Sequence, residues 1–267
     1  MKILYIGDIM GEAGVGVIES LLPGLINQRQ IDIVIAQAEN VSGGRGITVK
    51  DLRRLQKAGI DFFCGGNWTL YRSEIWPLLS DPNEPIIRPA NYPSGTKGLG
   101  YKFFNKGKHK LMVVSLLGQV VGKDADKPID NPLKVVDAIL KETKDEPCQA
   151  KVVNFHGDYS SEKVIIGEYL DGRVTAVIGD HWHVPTADAR ILPNGTAHIT
   201  DVGMCGTLNS SLGVSFDSVV PRWRDDKPTR NLLETKGPRQ FNAVLIESDK
   251  GLASSIEYIR SVIDDII

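Results

Sequence analysis

Long hydrophobic runs are missing from this chain. No stretch approaches the roughly 20 apolar residues a membrane helix needs, and the apolar start Met1-Lys2-Ile3-Leu4-Tyr5-Ile6 is too short for a signal-peptide core. A cytoplasmic protein is the expectation. Cysteine is scarce as well: Cys64, Cys148 and Cys205 are odd in number and have no C-x-x-C spacing. That excludes a disulfide framework and a zinc knuckle, and it reads as three reduced, mostly buried thiols. Charge of one sign is absent too. With a formal net charge of -2 there is no global pull toward nucleic-acid backbones or anionic membranes, so phosphate recognition has to come from a local site. No repeat, low-complexity tract or linker interrupts the sequence. Its 267 residues, 42% hydrophobic and 24% charged, are expected to fold as a single domain, 1–267.

What the sequence does contain is an alternation of apolar, β-branched runs with amphipathic stretches, the mark of an α/β protein with largely parallel strands. Lys2 to Gly7 reads as a buried strand. Val15, Ile18, Leu21, Leu22 and Leu25 then recur at helical spacing, and Asp32 to Ala38 is a second strand. Thr48 is placed to cap a helix through Lys57, with Gly59 ending it before a short strand, Ile60 to Cys64. Further strands are expected at Leu111–Leu116, Lys151–Phe155, Val174–Ile178, Ala197–Thr200 and Phe241–Glu247, and helices near Pro132–Lys141 and Ser160–Leu170. Asp249-Lys250-Gly251 has hairpin-turn character and leads into a last strand, Ser254–Arg260. The Pro- and Gly-rich stretch Ile87–Gly100 is expected to be a lid or wall.

The chemistry lies in where the metal-capable side chains fall. Asp8 follows the first strand, Glu39 and Asn40 the second, Asn67 the third, His156 the strand ending at Phe155, and His181 and His183 the one ending at Ile178. Open α/β sheets collect ligands outside the carboxyl ends of their strands, so five runs delivering carboxylate, amide and imidazole there converge on one site. Donors of this kind without thiolate suit iron, manganese or zinc with water in the shell. Singly, each has a plainer explanation: Asp8 and Glu39-Asn40 as turn formers, His156 as a hydrogen-bonded histidine. Jointly they favour a metal centre. His181 and His183 carry most weight, since alternating residues point to the same side when extended. His109 and His198 have no such placement and read as surface or structural. The glycines at 7, 11, 14 and 16 do not match G-x-G-x-x-G, and a ribose-binding acid is lacking beyond Asp32, so a dinucleotide loop is disfavoured. Gly43-Gly44-Arg45-Gly46 and Ser160-Ser161-Glu162-Lys163 read as loops and helix starts whose backbone amides suit phosphate oxygens, although plain turn and cap chemistry accounts for them equally.

On these residues the chain resembles the YmdB-type bacterial phosphodiesterases, a branch of the calcineurin-like metallophosphoesterase superfamily. The resemblance runs almost end to end. It rests on Ile6-Gly7-Asp8-Ile9, Ala38-Glu39-Asn40 with Gly43-Gly44-Arg45-Gly46-Ile47-Thr48, Gly66-Asn67, Arg88-Pro89-Ala90-Asn91-Tyr92-Pro93, and Phe155-His156 with Ser161-Glu162-Lys163. Gly179-Asp180-His181-Trp182-His183-Val184 with Thr186-Ala187-Asp188, and Thr200-Asp201-Val202-Gly203-Met204, complete it. The resemblance implies a four-layer α/β/β/α fold, a pair of iron-type metal ions, and hydrolysis of a phosphodiester typified by 2′,3′-cyclic nucleotides. It also implies that Asp8, Glu39, Asn40, Asn67, His156, His181 and His183 bind the metals. By superfamily analogy Glu39 bridges, with Asp8, Asn40 and His183 on one ion and Asn67, His156 and His181 on the other.

One departure bears on catalysis. The family has Gly-Asn-His where this chain has Gly66-Asn67-Trp68, and that histidine protonates the leaving oxygen or stabilises the transition state. An indole offers only a neutral N–H. Leu70-Tyr71, Gly157-Asp158 and Asp180 also depart from the usual pattern, and Asp158, Asp180 and Tyr71 are the candidates for a replacement proton. Asn67 and Trp68 are therefore the positions read as catalytic. The rival expectation is a catalytically weakened metal- and nucleotide-binding regulator in which Trp68 stacks on a base. The implied partner is a small phosphodiester or cyclic nucleotide. There is no membrane signal and no strong nucleic-acid signal, and self-association as a homo-oligomer stays open.

Overall fold

The apolar run of β1 (Lys2–Ile6) is buried along its length, and its alternate residues serve two different cores. The computed structural model describes residues 1–119, 121 and 126–264. After β1 come β2 (Asp8–Ile9), α1 (Gly11–Arg29), β3 (Ile33–Gln37), α2 (Val49–Ala58), β4 (Phe62–Cys64) and α3 (Trp76–Ser80). The middle of the chain gives β5 (Tyr101–Lys106), β6 (His109–Leu117), α4 (Pro132–Glu142), β7 (Ala150–His156), α5 (Ser160–Tyr169) and β8 (Ala176–Asp180). It closes with β9 (Arg190–Ile191), β10 (Ala197–Ile199), β11 (Met204–Thr207), α6 (Phe216–Asp225), β12 (Arg239–Asp249) and β13 (Leu252–Ile263).

The strands form two sheets, β2-β11-β12-β1-β3-β4 with β13 on β12, and β5-β6-β7-β8-β10-β9. Period-two alternation decides the layering. Ile3, Tyr5, Ile33 and Ile35 of the first sheet meet Leu111, Val113, Val152 and Ile178 of the second in one buried cluster. Leu4, Ile6, Val34 and Ala36 face the other way, onto Val15, Ile18 and Leu22 of α1 and Leu52 and Leu55 of α2. On the outer face of the second sheet, Met112, Val114 and Val153 pack with Val136 of α4 and Ile166 of α5. The result is the expected α/β/β/α sandwich.

Local signals act as the sequence implies. Thr48 Oγ1 accepts the Asp51 N–H at 3.1 Å, and Gly59 ends α2 at φ 116°, a left-handed conformation that favours glycine. Lys250 and Gly251 both have positive φ in the β12–β13 turn. The expectation of largely parallel strands needs correction. Strands β1, β3 and β4 are mutually parallel, as are β6, β7, β8 and β10, but β12 runs antiparallel to β1, β11 and β13. A tight hairpin joins β12 to β13, whereas α1, α2, α4 and α5 cross over between the parallel pairs β1–β3, β3–β4, β6–β7 and β7–β8, and no further helix follows β12 among the described residues. Among the described residues no helix is long and apolar enough to cross a membrane.

Two of the three cysteines are fully buried, and Cys148 is partly exposed. Burial pushes the Cys64 thiol well above its ordinary value, takes Cys205 up to about 12, and raises Cys148 too. Since the thiolate is the reacting species, Ellman's reagent at pH 8 is expected to titrate a single thiol slowly in native protein and three after denaturation. Fast reaction of two or more native thiols would contradict this packing.

Candidate metal centre

Each candidate ligand sits where a strand runs out. Glu39 and Asn40 lie just past β3, Asn67 shortly past β4, and His156 is the last residue of β7. Asp8 opens the two-residue strand β2, and His181 and His183 follow β8. Because β1, β3 and β4 are parallel to one another and β7 to β8, their carboxyl ends gather at one edge of the sandwich. Gly66 shows how tight the gathering is. A Cβ there would meet Glu39 Oε2 at 2.3 Å and His156 Nε2 at 2.6 Å, so only glycine lets the backbone before Asn67 pass.

His156, fully buried, is the centre of the arrangement. Its Nδ1 lies 2.7 Å from Asp180 Oδ1, which fixes the proton on Nδ1. Nε2 then faces Glu39 Oε1 and Asn67 Oδ1, each at 3.1 Å. A lone pair facing two oxygens is stable only with a positive charge among them, whether a proton or a cation. Without a cation the proton stays: burial opposes it, but Glu39 and Asp180 raise His156 well above its ordinary value. Burial likewise pushes Glu39 up, yet His156, His181 and the Trp68 N–H, at 2.9 Å from Oε2, hold its carboxyl below the usual range. Asp8, also fully buried, is raised by burial and by the Asp180 and Glu39 charges.

The donor set fits metal on two further observations. Donor atoms of Glu39, His156 and His181 lie within 4.8 Å of one another. In addition, Asp8 Oδ1, Asn40 Oδ1 and His181 Nδ1 are buried yet make no hydrogen bond within the protein, and a buried polar atom of that kind is costly unless something binds it. His183 donates from Nδ1 to the Leu212 carbonyl at 3.1 Å, which turns Nε2 toward Asp8 Oδ1, 3.9 Å away. Burial and the neighbouring His181 pull His183 down to about 4, so it is the neutral, ligating form near pH 7. The structure thus brings all seven expected ligands to one edge. It places His156 against Asn67 and Glu39, and turns His183 toward Asp8.

Two expectations about neighbours are corrected. His181 and His183 do not alternate along an extended segment: their φ values are 108° and 62°. Their loop is aimed instead by Trp182, whose N–H donates to Asp201 Oδ2 at 2.9 Å and whose Nε1 donates to the Asp158 carbonyl at 2.9 Å. Asp180 is not a proton donor to the cavity. It is fully buried behind His156, where its carboxylate also accepts from Tyr5 Oη at 2.8 Å and Asn154 Nδ2 at 2.6 Å. Of the other two candidates, Asp158 lines the cavity beside His181 Nε2, 3.0 Å away, whereas Tyr71 is exposed and edge-on to Trp68.

Trp68 lines the mouth of a cavity of about 600 Å³, together with Glu39, Asn40, Asn67, His181 and His183. Tyr92, Pro93 and Thr96 of the 87–100 stretch line a separate neighbouring cavity, which shares Asn67 and Trp68 with it. His109, by contrast, pairs with Asp32, and His198 Nδ1 bonds the Val177 carbonyl in the interior. Sequence reasoning missed the part played by Lys163 and Asp201, a fully buried ion pair at 2.6 Å under Trp182. The signal was a lysine and an aspartate inside otherwise apolar or small-residue stretches.

Relatives show the same architecture along the whole chain. Over 266 residues it is 34% identical to the 2′,3′-cyclic-nucleotide 2′-phosphodiesterase of Bacillus subtilis (strain 168), covering 99% of this chain and 98% of that protein. The crystal structure of a hypothetical protein from Thermus thermophilus matches with a TM-score of 0.88 at 34% identity, over 99% of this chain and 100% of the other. That of a novel phosphatase from Mycoplasma pneumoniae gives 0.91 at 31% identity, over 100% and 95%. With the YmdB-like protein family matching residues 4–259 as well, the chain belongs to that family.

Proposed function

We propose that this chain, one domain over residues 1–267, is a cytoplasmic, metal-dependent phosphodiesterase acting on cyclic nucleotides of the 2′,3′ type. The observation that carries the reading is the set of unpartnered buried atoms, Asp8 Oδ1, Asn40 Oδ1 and His181 Nδ1, in the ligand cluster beside an open cavity. Carboxylate, amide and imidazole donors suit two divalent ions, iron first, with manganese or zinc as alternatives. Asp8, Asn40 and His183 would hold one, Asn67, His156 and His181 the other, and Glu39 both. When bound, such ions make water nucleophilic near neutral pH and offset the charge that builds on phosphate. The chain's own task is to hold the donors ready. Asp180 keeps the proton on His156 Nδ1, the Leu212 carbonyl does the same for His183, and the Trp68 N–H steadies Glu39.

Proton delivery to the leaving oxygen is the weak step. Trp68 has no titratable proton, and besides the candidate ligand Glu39 the carboxyl that lines the cavity is Asp158. A strained cyclic phosphate or an aryl ester leaves without much protonation, so these substrates suffer least. Trp68→His is therefore expected to raise turnover of an unactivated alkyl diester by roughly 10-fold or more, with a smaller gain on bis(p-nitrophenyl) phosphate. If the variant folds and keeps its metals yet gains on neither substrate, Trp68 does not stand in the acid position.

A second reading, a weakened metal- and nucleotide-binding regulator, draws on Trp68, an indole with no titratable proton, and on Arg45 4.7 Å from its ring, both lining the cavity. Turnover of 2′,3′-cyclic AMP with added Mn²⁺ or Fe²⁺ separates the two. Hydrolysis that needs the ion supports the enzyme; binding without turnover supports the regulator.

A further inference from the structure

Beside the metal cavity lies a second one of about 240 Å³, which shares Met10, Arg45 and Asn231 with it and adds Tyr71, Arg72 and Arg230. Among the described residues no acidic side chain lines it. Several surface arginines sit on a carboxylate, as Arg29, Arg53, Arg54 and Arg173 do. Arg45, Arg72 and Arg230 pair with none among the described residues. In a chain of net charge -2, three guanidiniums without a carboxylate partner in one small cavity are a local reservoir of positive potential.

The cavity is also built rather than incidental. Arg72 Nε donates to the Arg45 carbonyl at 2.9 Å, and its other nitrogen to the Ser42 carbonyl, clamping the turn whose Gly43, Gly44 and Gly46 all have positive φ. That turn sets Arg45 over the Trp68 ring and within 5.9 Å of the Tyr71 ring. A guanidinium held against aromatic rings keeps N–H donors for an anion, and arginine's planar fork matches phosphate oxygens. The backbone N–H of Trp68 meanwhile donates to the bridging candidate Glu39, and Arg45 lines the metal cavity beside both residues.

We propose that this second cavity is a phosphate subsite and that the ligand of the metal centre carries two phosphate groups, one at the metal ligands and one on Arg45, Arg72 and Arg230. The proposal rests on the phosphodiesterase reading and narrows its substrate to nucleotides with a further phosphate. That group is either the 5′-phosphate of a mononucleotide or the internucleotide link of a short oligonucleotide. The test is calorimetric titration of the manganese-loaded protein with adenosine 3′-phosphate, adenosine 3′,5′-bisphosphate and the 3′-phosphorylated dinucleotide of adenosine. At least one doubly phosphorylated ligand is expected to bind about 10-fold tighter than adenosine 3′-phosphate, about 1.4 kcal/mol, and which one gains identifies the source. Arg230→Gln, which alters none of the candidate metal ligands, is expected to cut that ratio to about 3-fold or less. Equal binding of all three ligands overturns the subsite, as does a ratio that survives both Arg230→Gln and Arg45→Gln. Since binding is measured, a protein that prefers the bisphosphate but hydrolyses nothing sinks the enzyme reading alone. One that hydrolyses 2′,3′-cyclic AMP without preferring a second phosphate sinks the subsite alone.

Discussion

Glu39→Ala is expected to leave the protein folded but unable to retain its metals, with affinity lowered by more than about 10²-fold and turnover lost with it. Losing an outer partner of a metal ligand already costs about 10- to 100-fold, and Glu39 is the one ligand assigned to both ions. Its two carboxylate oxygens have separate employment: Oε1 faces His156 Nε2 at 3.1 Å, and Oε2 accepts the Trp68 N–H at 2.9 Å. Removing the carboxylate takes away the negative charge between His156 and His181 and frees the backbone at Trp68. Folding should survive, because Glu39 follows β3 rather than packing within it, and the cores on both faces of that strand are complete without it. Elemental analysis after anaerobic reconstitution with iron or manganese checks this, with close to two ions per chain expected for the unaltered protein. A Glu39→Ala variant that keeps two ions and full turnover would remove Glu39 from the site, and an unaltered protein that holds no metal would remove the metal reading altogether.

The candidate ligands were legible because β-branched runs announce strand ends, and carboxylate, amide and imidazole just past five of them point to one edge jointly, though each singly has a plainer explanation. What surrounds them was not legible. Asp180 precedes His181 in sequence but pairs across the sheet with His156 in the β7–β8 register, so its carboxylate turns inward beneath the imidazole while its neighbour turns to the cavity. The sequence offered it only as a candidate for the replacement proton. The Trp182 turn could not be foreseen either, since two non-glycine residues at positive φ carry no local signature and are imposed by tertiary bonds. Strands β2 and β9 are two residues long, too short for any periodicity to register. Helix α6 hid for another reason: Phe216, Val220 and Trp223 are exposed, which blurs the apolar stripe, and Pro221 lies inside it.

The turn that aims both histidines hangs on one buried ion pair, and Lys163→Met is expected to cost about 3–5 kcal/mol of stability at pH 8. Lys163 is fully buried, donates to Asp201 Oδ2 at 2.6 Å and to the Asp180 carbonyl at 2.7 Å, and lies 4.1 Å from the Trp182 ring. Asp201 in turn accepts the N–H groups of Trp182 and Gly203. Deleting the ammonium leaves a buried carboxylate with backbone donors alone. Burial already pushes the Asp201 carboxyl up even though Lys163 draws it down, so in the variant it rises further. A carboxyl whose folded value lies above its unfolded one binds protons more tightly when folded, so its penalty grows as pH rises and fades on acidification. The stability gap between unaltered protein and variant should therefore shrink from pH 8 to pH 5. Lys163→Met with Asp201→Asn should recover part of the loss, because the uncompensated charge is gone. Metal affinity should fall in the single variant as well, since the Asp180 carbonyl and Trp182 bracket His181. Urea denaturation at the two pH values decides the matter: a loss below about 1 kcal/mol, or a gap that widens on acidification, would show that the pair does not hold the turn.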